Sequence, residues 1–103
     1  MTPKNLLTLV EFLPEKPRVL LVHDSERLRL VLFCLKSGQE LPPHTSTSEV
    51  VMQVLRGRGK FVLGEEEIPS SEGSLAACPP GVAHGLKAEE DFVVLATISP
   101  RPG

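Results

Sequence analysis

The sequence contains no tryptophan and no tyrosine, and only four phenylalanines. Proteins that hold nucleic acid by stacking bases need aromatic platforms, and such platforms are scarce here. No sign of charge dominates either. Eleven basic and thirteen acidic side chains leave a net charge of −2, without the basic excess of a nucleic-acid binder. The longest unbroken apolar run, Leu30 to Leu35, falls far short of the ~20 residues that span a bilayer. Neither a nucleic-acid nor a membrane partner is expected. The opening Met1-Thr2-Pro3-Lys4-Asn5 leads into a short apolar stretch broken by Glu11. A signal peptide is therefore not expected, and a cytoplasmic location is. The two cysteines, Cys34 and Cys78, sit in apolar contexts and read as buried thiols rather than a bridge.

What the sequence has is punctuation. Ten prolines and eight glycines are spread along 103 residues, dividing short runs rich in Val, Leu, Ile and Phe. That pattern predicts one all-β domain of many short strands, with no helix. Strands are expected at Leu6–Leu13, Arg18–His23, Arg27–Lys36, Glu49–Arg56, Lys60–Leu63, Ser74–Cys78 and Asp91–Ser99. Shorter ones are expected at Glu67–Pro69 and Ala83–Lys87, for about eight to ten in all. Turn signals every eight to twelve residues favour a sandwich or barrel. In the run from Arg27, Leu28, Leu30, Leu32 and Cys34 share one face, while Val31, Phe33 and Leu35 make the other apolar as well. A strand buried on both faces needs an outer cover. The N-terminal strands (6–23) or a partner subunit could supply it.

Only three histidines are present. His44 follows Pro42-Pro43, and His84 follows Pro79-Pro80-Gly81-Val82-Ala83. Each lies where a strand meets a turn, so both can converge on one mouth of a barrel. Gly73, Pro79, Gly81 and His84 have the spacing Gly, five residues, Pro, one residue, Gly, two residues, His. Gly38 and His44 are likewise separated by five residues, and Gly57 closes Val54-Leu55-Arg56-Gly57. In these spacings the chain resembles the cupin superfamily of jelly-roll β-barrels, over roughly Leu30 to Ile98. The resemblance implies a single domain (1–103), with a barrel core at about 28–98. It also implies a small molecule in the barrel, a homodimer, and a divalent metal (Fe, Mn, Ni or Zn) held by three His and one Glu.

The sequence departs from that pattern where ligands are expected. Ser46 replaces the second His of the first motif, Val50 stands at the Glu position with Glu49 one residue early, and Ala88 replaces a final Asn. The candidate metal ligands are His44, His84 and Glu49. Together they would match a site of two His and one carboxylate. Strand alternation opposes Glu49: with Val50, Met52 and Val54 inward it faces outward, unless a bulge at Thr45–Ser48 inverts the register. The alternative is a metal-free pocket of His44, Ser46, Val50, Met52 and His84, with Cys34 as a further candidate. Such a pocket would bind or sense an apolar small molecule. If the chain is an enzyme, the resemblance implies a metal-dependent dioxygenase or isomerase. A third reading is a dimeric interaction protein built on Val31, Phe33 and Leu35.

Other features read as structural. Arg56, Arg58 and Lys60 alternate as a solvated strand face would. Gly57-Arg58-Gly59 lacks the third glycine of a dinucleotide loop, having Val62 there. Glu65-Glu66-Glu67 reads as a hairpin tip. His23-Asp24-Ser25 reads as a turn, because a catalytic triad is built by spatial convergence and not by adjacency. A Cys78 nucleophile with His84 as base is conceivable, but an apolar strand would raise the thiol pKa.

Overall fold

The computed structural model describes residues 2–102, and among these the chain forms nine strands. They are β1 (Arg18–Asp24), β2 (Arg29–Leu35), β3 (Glu40–His44), β4 (Glu49–Arg56), β5 (Arg58–Leu63), β6 (Glu66–Ser71), β7 (Leu75–Cys78), β8 (His84–Ala88) and β9 (Phe92–Ser99). One sheet runs β1-β2-β9-β4-β7 and the other β3-β8-β5-β6. Every pairing is antiparallel. From β2 onward the chain crosses between the sheets at nearly every connection, which winds it into a jelly roll. The expected all-β architecture is the observed one.

Between the sheets lies a core built around Leu35, Met52, Val54, Phe61, Leu86, Phe92 and Val94. A second cluster lies on the other side of the first sheet, where Leu32, Cys34 and Val93 are covered by Leu9, Val10 and Phe12. The outer cover of β2 is therefore the N-terminal segment of the same chain. Cys34 belongs to this outer cluster, which removes it from the candidate pocket.

The N-terminal segment is not the strand expected at Leu6–Leu13. Leu6–Leu9 is a short 3-10 helix, entered at Asn5, whose side chain accepts a hydrogen bond from the Leu7 amide. The rest belongs to no strand, and it is pinned by side chains: Arg18 donates to the Leu9 carbonyl and Gln39 to the Leu13 carbonyl, each at 2.8 Å.

β3 was not expected, because its sequence holds Pro42 and Pro43. It is tolerated as the terminal strand of its sheet, with a register shift between Leu41 and His44. Edge positions and bulges are where proline costs no ladder bond. β2 begins two residues later than expected, because Arg27 and Leu28 lie in a turn closed by Ser25. Glu66 and Glu67 belong to β6, so the hairpin tip is Gly64-Glu65.

Candidate functional site

His44 ends β3 and His84 begins β8, and the two are register partners across that ladder. Two loops bring them there. In the Pro79-Pro80-Gly81 turn, Gly81 has φ +84°, a left-handed conformation that glycine adopts without cost. Its amide donates to the Ser46 carbonyl at 2.9 Å, fastening the loop before β8 to the loop after β3. Gly85 then lets the strands close. A Cβ there would stand 2.6 Å from the Leu41 carbonyl oxygen.

The imidazole rings have centroids 4.5 Å apart and planes tilted by 55°. His44 is exposed, whereas His84 is only 6% exposed. His84 Nδ1 lies 3.1 Å from the Val82 carbonyl oxygen and 3.7 Å from Cys78 Sγ, and Sγ itself lies 3.4 Å from that carbonyl. A carbonyl can only accept, so Nδ1 is the donor in this contact, and in the neutral ring Nε2 keeps its lone pair. The thiol is then the second donor to Val82 rather than a donor to the ring. Burial pushes the Cys78 thiol up from its ordinary pKa of 9.0. A thiolate nucleophile at neutral pH is therefore disfavoured.

The other sequence-predicted residues do not join the pair. Glu49 is exposed and stands opposite Ser99, with no register shift at that end of β4. The bulge that would have turned it inward is absent there, because the shift in the β4–β9 pairing falls between Val54 and Arg56. Among the described residues, no three His, Cys, Asp or Glu side chains converge as a metal group. Val50 and Met52 do face inward, as alternation predicts, but at 3% and 2% exposure they are packed core. Ser46 Oγ accepts the Ser48 amide at 3.0 Å, a turn-forming contact. The Ser48 hydroxyl in turn donates to the Pro100 carbonyl.

Two features escaped the sequence reading. One is the Val82 carbonyl that fixes the His84 tautomer. The only sequence signal for it was the turn before His84, which does not disclose where a carbonyl points. The other is a cleft of about 420 Å³ between β6 and β7, which includes none of the expected pocket residues.

The charged face behaves as a solvated one. Arg58 pairs with Glu89 and Glu90, and Lys60 with Glu67 and Glu89. Arg56 lies apart from them, at the end of β4. His23-Asp24-Ser25 makes no triad: Asp24 accepts from Arg29 and Arg101.

Comparison with known proteins agrees with this fold. A family model described as "Cupin domain" matches residues 31–98. An RmlC-like cupin protein from Desulfovibrio desulfuricans is 40% identical and superposes with a TM-score of 0.91, covering 97% of each chain. A protein from Thermus thermophilus is 33% identical with a TM-score of 0.93, covering 99% of this chain and 100% of that one. Salicylate 1,2-dioxygenase from Pseudoaminobacter salicylatoxidans is 26% identical with a TM-score of 0.69, over 72% of this chain and 22% of the enzyme. No curated protein matches.

Proposed function

The chain belongs to the cupin-domain family, and from that premise we propose that it is a small-molecule-binding cupin whose His44 and His84 grip the polar head of a ligand. The observation that carries this reading is the paired imidazoles, with His84 Nδ1 already committed to the Val82 carbonyl. In the neutral ring Nε2 can accept a hydrogen bond from a ligand. The exposed His44 beside it can act as donor or acceptor, according to its tautomer. Such a pair suits a head group with an acidic or hydroxyl proton, such as a carboxylic acid, a phenol or an alcohol.

The family's metal fits this site incompletely. Three protein ligands are the usual minimum for a catalytic centre, and here two imidazoles meet while Glu49 points away. No catalytic step is assigned to a metal. One observation favours a weaker second reading. Metal-binding histidines characteristically donate their other ring N–H to a carbonyl or carboxylate, as His84 does. His44 and His84 could then hold a divalent ion (Fe, Mn, Ni or Zn), with oxygen from ligand or water completing its shell.

A thermal-shift screen of metabolites bearing acid, phenol and hydroxyl heads tests the first reading. Compounds that stabilise the wild type and not His84→Ala support it. Metal analysis of protein purified without chelator or affinity-tag metal tests the second. Stoichiometric metal that disappears in His84→Ala would favour it over the first.

The homodimer implied by the family rests on other residues than those that first suggested it. Val31 and Leu35 are buried. On the same side of the sheet, β1 presents Val19 and Leu21 at 57% and 52% exposure, opposite Phe33 and Val31 in the register. A second copy of the chain seated on β1 is the proposed cover.

A further inference from the structure

We infer that the cleft between β6 and β7 is a separate binding site for an uncharged, largely apolar small molecule. β6 ends one sheet and β7 ends the other, so two free edges border the same opening. β7 lines the opening with the short side chains of Ala76 and Ala77. Phe61, nearly fully buried, lines it from β5, and Ile68 and Leu75 are large exposed apolar side chains on either side. Its volume of about 420 Å³ lies within the range of roughly 300–1,000 Å³ usual for small-molecule sites.

The lining dictates the ligand class. It contains no Lys, Arg, His, Asp or Glu, so an entering carboxylate or ammonium would lose water and gain no partner. Glu66 and Glu72, each two positions from a lining residue in sequence, have no ion-pair partner among the described residues. Their charge disfavours anions further. The only polar side chains of the lining are the hydroxyls of Ser70 and Ser74. Ser70 Oγ is spent on the Ile68 carbonyl at 3.0 Å. Ser74 Oγ accepts the Ser71 amide at 3.0 Å, which leaves its own proton free to donate. An added strand from another chain is a worse occupant, because Pro69 has no amide proton to give along β6.

The test is an NMR titration of ¹⁵N-labelled protein with 2-naphthalenemethanol and, separately, with 2-naphthoate, its carboxylate counterpart. Saturable shifts of the Ile68, Ser70, Leu75 and Ala77 amides are expected with the alcohol, and binding about tenfold weaker or worse with the carboxylate. Ala77→Phe, at an exposed position, should abolish the shifts while leaving the melting temperature unchanged. Leu75→Ser, also exposed, should weaken binding without filling the cleft. Absence of saturable shifts at these amides would overturn the proposal. So would shifts centred on His44 and His84 that persist in Ala77→Phe, equal binding of the carboxylate, or concentration-dependent shifts of the same amides without any probe, which would mark a second copy as the occupant. Because the variants leave His44 and His84 intact, failure here is distinguishable from failure of the histidine site.

Discussion

His44 and His84 face each other across the β3–β8 ladder as register partners, with ring centroids 4.5 Å apart. They are unequal partners. His84 is buried and tied to the Val82 carbonyl, while His44 is exposed. His84→Ala should therefore cost stability of about 1–3 kcal/mol, the usual penalty for removing a buried hydrogen-bonded group. His44→Ala should stay within about 0.5 kcal/mol, as exposed substitutions do. Both should weaken a ligand that binds at the rim. Urea denaturation of the two variants checks the asymmetry, and equal losses would contradict it. Long-range ¹H–¹⁵N spectra should also show the His84 proton on Nδ1.

Cys78 predicts a pH dependence on the alkaline side. Burial raises its folded-state pKa above the 9.0 of the free thiol. Below 9.0 the thiol is protonated in both states and favours neither. As pH rises through 9.0 the unfolded chain releases its proton first, so the folded state loses stability until its own thiol ionises. Comparing urea midpoints at neutral pH and at about pH 10 should show a decline that is smaller in Cys78→Ala. Iodoacetamide should label Cys78 slowly in the folded protein and quickly in urea. Rapid labelling of native protein at neutral pH would contradict the burial argument.

The jelly roll was legible because its signals are local. Gly73, Pro79, Gly81 and His84 mark a turn by spacing alone, and Gly73 and Gly81 both have the positive φ that such turns require. The outward placement of Glu49 was legible too, since alternation follows directly from strand geometry. The pairing of β3 was not. Pro42 and Pro43 speak against a strand, and only the edge position and the register shift reconcile them. The N-terminal segment misled for a related reason. Its apolar residues left two covers open, this segment or a partner subunit, and their partial burial on Leu32, Cys34 and Val93 does not distinguish a paired strand from a 3-10 turn and an unpaired arm pinned by Arg18 and Gln39. Whether inward-facing residues line a cavity or fill a core depends on the distance between sheets, which no single strand encodes. Val50 and Met52 fill the core, and the open space lies instead beside the alanines of β7.

The exposed Val19 and Leu21 of β1 predict self-association. They are two large apolar side chains on an edge strand, a position that isolated proteins usually blunt with charge. Sedimentation or light scattering should show a dimer that Leu21→Glu converts to monomer. The fold should survive, because the position is half-exposed before association. A wild-type monomer across the accessible concentration range would remove this proposal while leaving the histidine site untouched.

An ion pair between Arg101 and Asp24 ties the segment after β9 to the end of β1. Asp24, at the end of β1, accepts hydrogen bonds from Arg101 at 2.7 and 3.0 Å and from Arg29 at 3.4 Å. The Arg101 contact is the main reason its carboxyl sits below the ordinary carboxylate range; burial opposes it, and Arg29 adds to it. A lowered folded-state pKa contributes stability above the unfolded value of 3.8. That contribution is lost as pH falls through the folded value, because the unfolded chain takes up the proton first. Arg101→Ala should therefore raise the Asp24 pKa toward 3.8 and shallow the acid dependence of stability. The effect should shrink in high salt, since the pair is partly solvated. NMR titration of the Asp24 carboxyl in both proteins is the direct measurement. An Asp24 pKa that does not move on loss of Arg101 would mean that Arg29 alone sets it, and that the C-terminal arm is not held by this pair.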